Sequence, residues 1–414
     1  MPAPSCLRVA LPLPLPRLFD YLPPHGEDAG PGDVGRRVRV PFGNRERVGV
    51  VAAIGAPETP AELRPALAFL DPTPLFGGEL LDSLHWLARY THAPLGEVLA
   101  TALPAPLRAG DPLPETHAWA WALTEAGATG LAGLRRGTRT RRLAERLSAG
   151  PCDEDRLDLE LDDWRVAARA LARRGYAERL AVPATGDAPA PRPGPAPNPE
   201  QQAAIAAVAG ARGFAPLLLE GVTGSGKTEV YLHAIADCLA RGRQALVLVP
   251  EIGLTPQTLG RFRARLGVPV HALHSGLADG ERARVWAAAW RGEARVVVGT
   301  RSAVFTPLPE AGLIVVDEEH DASYKQQDGI RYHARDFALV RGKALGVPVL
   351  LGSATPSLET LHNAHAGRYA HLRLRQRAGE ARPPAVRIVD VRKRPLQAGL
   401  APETLDMIGA ALRD

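Results

Sequence analysis

The chain has 414 residues, 45% of them hydrophobic and 23% charged. That balance excludes global disorder, a collagen-like repeat and a small disulfide-stapled scaffold. Its formal net charge of +5 fits an anionic partner without demanding one.

At roughly 100–200 residues per domain the length predicts about two to four domains. No apolar run reaches the roughly 18 residues of a membrane-spanning helix. The first residues lack a basic n-region and carry helix-breaking prolines, so no signal peptide is expected. Cys6, Cys152 and Cys238 are far apart, with no CxxC pair. Neither a disulfide framework nor a zinc site can be argued from them, and a reducing cytoplasm is the expected compartment. Among 50 basic residues, lysine occurs only at 227, 325, 343 and 393. A compact ammonium is expected to matter where lysine persists.

The first 110 residues read as a β-rich unit. Short β-like pieces at Arg36–Pro41 and Arg47–Ile54 flank turn residues, and helical stretches follow about Glu79. The segment 36–47 holds five arginines against Glu46. A second arginine cluster, 135–146, precedes an acidic run from Asp153 to Asp163. Each cluster reads as a solvated face or as a nucleic-acid contact. Residues 111–180 are mostly helical. The segment 181–198 alternates proline with small residues and reads as an extended spacer.

After the spacer, short apolar runs alternate with amphipathic stretches: Pro216–Leu219, Ala245–Val249, Pro269–Leu273, Arg295–Val298, Leu313–Val316 and Val347–Leu351. This pattern predicts parallel strands buried on both faces, hence a mainly parallel α/β sheet. Ligands bind such sheets beyond the carboxyl ends of the strands, so the chemistry belongs in the turns that follow each run.

The first turn is Gly221-Val222-Thr223-Gly224-Ser225-Gly226-Lys227-Thr228. It fits GxxxxGK[ST] between a strand and a predicted helix over Lys227–Ala240. The loop amides and the helix N-terminus would cradle phosphates. Lys227 would reach the β and γ phosphates and Thr228 would hold Mg²⁺; the alternative is a glycine-rich turn that binds nothing. The second turn is Asp317-Glu318-Glu319-His320-Asp321. Asp317 would contact Mg²⁺ and Glu318 would orient and deprotonate the attacking water. Read alone, it is an acidic solvent loop. The turn Gly352-Ser353-Ala354-Thr355-Pro356 reads as an ordinary strand end. The segment from Tyr324 to Asp336 mixes aromatic, basic and amide groups. It suits stacking on unpaired bases, or it is a surface loop with two buried tyrosines.

Together, GVTGSGKTEVYL, LVPEIGLTPQ, HSGL, GTRSAVFTP, DEEHDASYKQQDGIRYHARD and GSATPSLETL resemble the PriA family of superfamily 2 replication-restart helicases. LPLPLPRLFDYLPP and RVRVPFGNRERVGVV resemble that family's 3′-DNA-binding domain. The resemblance runs from about residue 7 onward and is loose between about 110 and 198.

It implies a 3′-DNA-binding domain over 1–110, a winged-helix-like domain over 111–180, a linker over 181–198 and a RecA-like lobe over 199–390. Residues 391–414 would begin a connection to a zinc-binding insertion and a second lobe. The resemblance assigns Phe19, Asp20, Tyr21, Gly43 and Arg64 to a pocket for a DNA 3′ end, with Arg64 where a lysine is common. It assigns Gln201 to the adenine, and Tyr324, Lys325, Tyr332 and Arg335 to coupling single-stranded DNA with ATP hydrolysis. Ile330 stands where tryptophan is frequent.

The implied activity is ATP- and Mg²⁺-dependent 3′-to-5′ unwinding at stalled forks and D-loops, followed by primosome assembly. The implied partners are forked and single-stranded DNA, primosome proteins, a replicative helicase loader and single-stranded-DNA-binding protein. The implied location is the cytoplasm, at the nucleoid. Zinc is expected only in the insertion, which this sequence lacks. The second lobe supplies an arginine finger, worth about 10³–10⁵ in rate. A one-lobe chain is therefore expected to hydrolyse ATP poorly. It would be either a fragment or a shortened form, and in the latter case a fork-binding module that recruits a loader without unwinding.

Overall fold

The computed structural model describes residues 6–57, 63–115, 117–183, 191–378, 386–392 and 395–413. Residues 184–190 of the expected proline-rich spacer and Lys393 lie outside the described residues. No helix among the described residues is long and apolar enough to cross a membrane.

Five short strands open the chain: β1 (Cys6–Ala10), β2 (Phe19–Tyr21), β3 (Arg37–Phe42), β4 (Arg45–Gly55) and β5 (Ala68–Phe69). They form an antiparallel sheet in the order β2-β1-β4-β3-β5. The β3–β4 connection is the two-residue loop Gly43-Asn44, with Gly43 at φ +60°. A positive φ at the first central position is what a II′ hairpin turn requires. Alternation along these strands sends Leu7, Val9, Val38, Val40 and Val51 into a small core of their own.

The helices that follow, α1 (Gly78–Thr91), α2 (Leu95–Ala102) and α3 (Ala105–Ala109), turn their apolar stripes elsewhere. Leu80, Leu84, Leu87 and Leu99 join Trp286, Phe305 and Phe337 in one buried cluster. The N-terminal region and the large α/β unit therefore share a core.

A second antiparallel sheet, in the order β7-β6-β8, uses β6 (His117–Leu123), β7 (Cys152–Asp153) and β8 (Ala177–Pro183). It is covered by α4 (Glu125–Gly130), α5 (Arg139–Ser148), α6 (Glu154–Glu160) and α7 (Trp164–Arg173). Trp121, Leu143, Trp164 and Leu171 fill its core. Residues 181–183 pair with 117–119 as strand, so they are not yet spacer. The described end of the spacer does not swing free: Arg192 N–H donates to Ala264 C=O at 2.8 Å.

The rest is a seven-stranded parallel sheet. After α8 (Pro199–Gly210), its strands are β9 (Pro216–Gly221), β10 (Gln244–Leu248), β11 (Val270–Leu273), β12 (Val296–Gly299), β13 (Ala311–Val316), β14 (Val349–Ser353) and β15 (Ala370–Leu374). The spatial order is β11-β12-β10-β13-β14-β9-β15. The crossing helices are α9 (Lys227–Ala240), α10 (Pro256–Leu266), α11 (Asp279–Trp290), α12 (Ala334–Leu345) and α13 (Leu358–His365), and α14 (Pro402–Ala411) follows. Mixed α/β architecture with a RecA-like lobe is as the sequence predicts. β15 is an addition: an edge strand, its AHLRL is only partly buried and lacks the continuous apolar run of the inner strands.

The arginine cluster near residue 36 divides: Arg37 and Arg36 are taken up by the fold, while Arg45 stays exposed. Arg37 is fully buried. It grips Asp71 with Nε at 2.9 Å and Nη2 at 2.7 Å, and Nη1 donates to Leu107 and Asp111 C=O. Arg36 stacks over Phe69, 3.8 Å from the ring centroid. In the second cluster, Arg139 and Arg146 pair with Asp163 and Glu160 of the acidic run.

Candidate nucleotide site and DNA-end pocket

The residues of β9 are buried until Glu220, where the chain enters the phosphate-type loop. Gly224 and Gly226 adopt φ +78° and +81°, a region costly for residues with a Cβ. At Gly226 a Cβ would also lie 2.3 Å from Gln201 Nε2. The loop ends at α9, whose N-terminus no side chain caps. Its first amides are left for an external acceptor. Ser225 Oγ is buried and has no hydrogen-bond partner among the described residues. Uncapped amides and an orphaned hydroxyl around a glycine loop fit a phosphate. Lys227 Nζ donates to Gly221 C=O at 3.1 Å and stands 3.6 Å from Glu318 Oε1. Thr228 sits half-buried in the first turn of α9. Val222, Thr223 and Gly224 are exposed at the mouth of the loop.

The acids arrive from β13. Asp317 N–H donates to Leu248 C=O, and Tyr231 of α9 donates its hydroxyl to Asp317 Oδ1 at 2.8 Å. Burial raises the Asp317 carboxyl above the ordinary aspartate range, against the Tyr231 hydrogen bond that lowers it. A divalent cation bound here would favour the carboxylate form. Burial and the nearby Asp317 push the Tyr231 hydroxyl well up, so it stays a donor. Glu318 has φ +43°, a rare conformation for a non-glycine residue. It aims Oε1 at Lys227 and Oε2 toward His320, 3.7 Å from Nδ1. Backbone strain of this kind concentrates at functional sites.

Three residues that sequence reasoning left out hold this geometry. Glu319 is fully buried and accepts from Ser357 N–H (2.7 Å), Ser357 Oγ (3.1 Å), Thr360 Oγ1 (2.9 Å) and Arg335 Nη1 (2.9 Å). His320 Nδ1 lies 2.7 Å from Ser353 Oγ. Gly352 lets the Tyr231 hydroxyl pass, because a Cβ there would come within 1.6 Å of it. The Gly352–Pro356 turn is thus wired to the acidic turn rather than being a plain strand end. The readable signal was the run of carboxylates at 317–319, since a third acid beyond a metal ligand and a base needs a partner.

Several expectations change. Gln201 lies against the phosphate-type loop: it is 4% exposed, accepts from Asn198 N–H and donates to Ser225 C=O, both at 2.9 Å. Tyr324 and Tyr332 are not stacking platforms. Tyr324 is fully buried and donates to Asp317 C=O at 2.7 Å, while Tyr332 packs on Phe305. Burial pushes the Tyr332 hydroxyl up to about 12. Ile330 fills the same core. Arg335, 9% exposed, faces Glu319, Asp336 and Ser357 instead of DNA. Of the four coupling residues only Lys325 is exposed, with Nζ on Arg331 C=O. The loop is tied to the acidic turn, and its outward cations are Lys325 and Arg331.

The DNA-end residues lie on or beside β2. Phe19 is half-buried, edge-on to Phe42, with Arg17 over its ring. The Asp20 carboxylate is 3.6 Å from Arg8 Nε. Tyr21 is a core residue, 6% exposed, with its hydroxyl on Pro41 C=O, so it offers no face to a base. Arg64 is exposed, and its C=O accepts from Leu22 N–H. Gly43 sits at the neighbouring hairpin tip.

Residues 8–104 match the family model of the PriA 3′DNA-binding domain (3′BD), and residues 198–364 match that of the DEAD/DEAH box helicases. The replication restart protein PriA of Haemophilus influenzae is 41% identical over 420 residues, covering 98% of this chain. The chain spans 57% of that relative's length. The Bacillus subtilis protein of the same name is 50% identical over 176 residues, covering 42% of this chain and 22% of the relative. Among solved structures, RecG bound to a three-way DNA junction matches at 24% identity and a TM-score of 0.35. It covers 46% of this chain and 25% of that one. With a matching 3′-DNA-binding domain, a helicase-type lobe and sequence identity along almost its whole length, the chain belongs to the PriA family of replication restart proteins.

Proposed function

We propose that this chain recognises stalled or abandoned replication forks and D-loops and uses ATP hydrolysis to drive 3′-to-5′ unwinding ahead of primosome assembly. The observation that carries the reading is the opposition of Lys227 and Glu318 at 3.6 Å across an uncapped glycine loop. The two side chains converge on one point, and a γ-phosphate that parts them would meet an ammonium on one side and a carboxylate base on the other. Glu318 would orient the attacking water and take its proton, while Lys227 and the loop amides would hold the charge that builds on the phosphoryl oxygens. Thr228 and Asp317 would hold the Mg²⁺ of the substrate, which neutralises phosphate charge when bound. Tyr231 keeps Asp317 in place through its hydroxyl.

Asp20, half-buried beside Phe19 on β2, would accept a hydrogen bond from a DNA 3′-hydroxyl. The unit over 111–180 would touch duplex DNA as a winged-helix-like module, and Lys325 and Arg331 would meet the single strand. Primosome proteins, a helicase loader and single-stranded-DNA-binding protein are the proposed protein partners, in the cytoplasm at the nucleoid.

Steady-state ATPase measurements with and without forked DNA test the motor. DNA-stimulated turnover abolished by Lys227→Ala and by Glu318→Gln supports it. Undetectable turnover with fork binding retained would leave a DNA-binding, loader-recruiting module. Asp20→Ala is expected to weaken binding to forks ending in a 3′-hydroxyl and to spare forks ending in a 3′-phosphate. Equal losses on both would remove the pocket.

A further inference from the structure

Gln201 is held by Asn198 and Ser225, and a whole nucleoside needs a wider surface than one amide offers. Sheet order says where to look. The loop follows β9, and the acids follow β13, which lies across β14 on one side of it. A triphosphate whose γ-phosphate faces Glu318 must run its nucleoside the other way, toward β15. There the chain after β15 crosses the mouth of the loop. Val222 N–H donates to Leu374 C=O at 3.2 Å and Ala378 N–H donates to Gly224 C=O at 2.8 Å. Between those anchors, Glu200 Oε2 accepts from Arg375 N–H (2.8 Å) and Gln376 N–H (3.1 Å). Three hydrogen-bonded tethers from α8 and the loop hold a short strap whose own side chains are spare. Arg375 and Gln376 are exposed and Arg377 is half-buried. Among the described residues none of the three makes a side-chain hydrogen bond or ion pair.

We propose that the strap 374–378 is the nucleoside wall of the nucleotide pocket, with Gln376 and Arg377 contacting the base and ribose. A guanidinium stacks well on an aromatic face. A primary amide can donate and accept at once, as the edge of an adenine requires. Glu200 is a positioning residue, because it fixes the strap backbone without reaching the ligand. The inference rests on the phosphate reading of the loop, and it is tested by separating the two halves of the ligand.

Calorimetry would compare Mg²⁺–ADP with Mg²⁺–pyrophosphate on the wild-type chain, on Gln376→Ala/Arg377→Ala and on Glu200→Gln. The double variant loses only side chains that have no partner among the described residues, so its folding is expected to match the wild type. ADP affinity is expected to fall about tenfold, the equivalent of one or two hydrogen bonds, with pyrophosphate binding unchanged. Glu200→Gln is expected to show a smaller loss of the same kind. Unchanged ADP affinity in the double variant, or equal losses for both ligands, would overturn the strap while leaving the phosphate loop intact. A wild-type chain that binds neither ligand would overturn both readings.

Discussion

The Glu319 carboxylate and the Arg335 guanidinium meet at 2.9 Å in a place where Glu319 has no solvent exposure at all. The pair joins the acidic turn after β13 to the first turn of α12, and Ser357 and Thr360 complete it from the start of α13. A buried pair of this kind is a weak source of net stability, but losing one partner strands the other. Glu319→Ala is therefore expected to cost about 3–5 kcal/mol in urea unfolding. Glu319→Gln should cost less, because the amide still occupies the site. Equal and small effects would show that the carboxylate is hydrated after all.

The Arg37–Asp71 pair separates stability from DNA contact within the first arginine cluster. Asp71→Ala is expected to destabilise the N-terminal sheet by about 3–5 kcal/mol, because it leaves a buried guanidinium unpaired. Arg45, which is exposed at the hairpin end, should behave oppositely. Arg45→Ala is expected to leave stability within about 0.5 kcal/mol and to flatten the salt dependence of fork binding. Chemical denaturation and salt titration read the two effects independently.

Gly352 has a role that only its neighbour explains. Gly352→Ala would place a methyl group against the Tyr231 hydroxyl and push it off Asp317. The expected outcome is a fall in ATP turnover together with restored space, and partial recovery, in the double variant with Tyr231→Phe. Additive losses in that double-mutant cycle would mean that the two residues act separately.

His271 on β11 gives a pH dependence. Burial, with Arg263 beside it, holds its imidazole down to about 4. An unfolded histidine titrates near 6.5. Below about that pH the unfolded chain binds the extra proton and the folded chain does not, so stability declines as pH falls from 6.5 toward 4. The ring keeps some exposure, which discounts the effect to about 1–2 kcal/mol. His271→Asn is expected to flatten that acid limb. An unchanged limb would assign it to other groups.

The phosphate-type loop, the 317–318 acids and the inner strands were legible in the sequence because each is local. A glycine loop between an apolar run and a helix start needs only a few consecutive residues, and strands buried on both faces announce themselves as continuous Val, Leu and Ile. β15 was not legible, since an edge strand is half-solvated and its apolar residues are diluted. Tertiary structure alone decided the fates of Gln201, Tyr21, Tyr324, Tyr332 and Arg335. Each has a side chain that could face a ligand or a neighbour with equal chemical sense, and the choice depends on what lies opposite. Ser225 C=O, Pro41 C=O and Glu319 lie 24, 20 and 16 residues from their partners, and even Asp317 C=O, seven residues from Tyr324, is outside any local helical or strand spacing. Only closure of the core brings them within hydrogen-bonding distance, and burial then makes those bonds obligatory. The sequence by itself determined that a triphosphate-type loop and a pair of acids exist; packing determined which of the surrounding polar residues remain free to touch anything else.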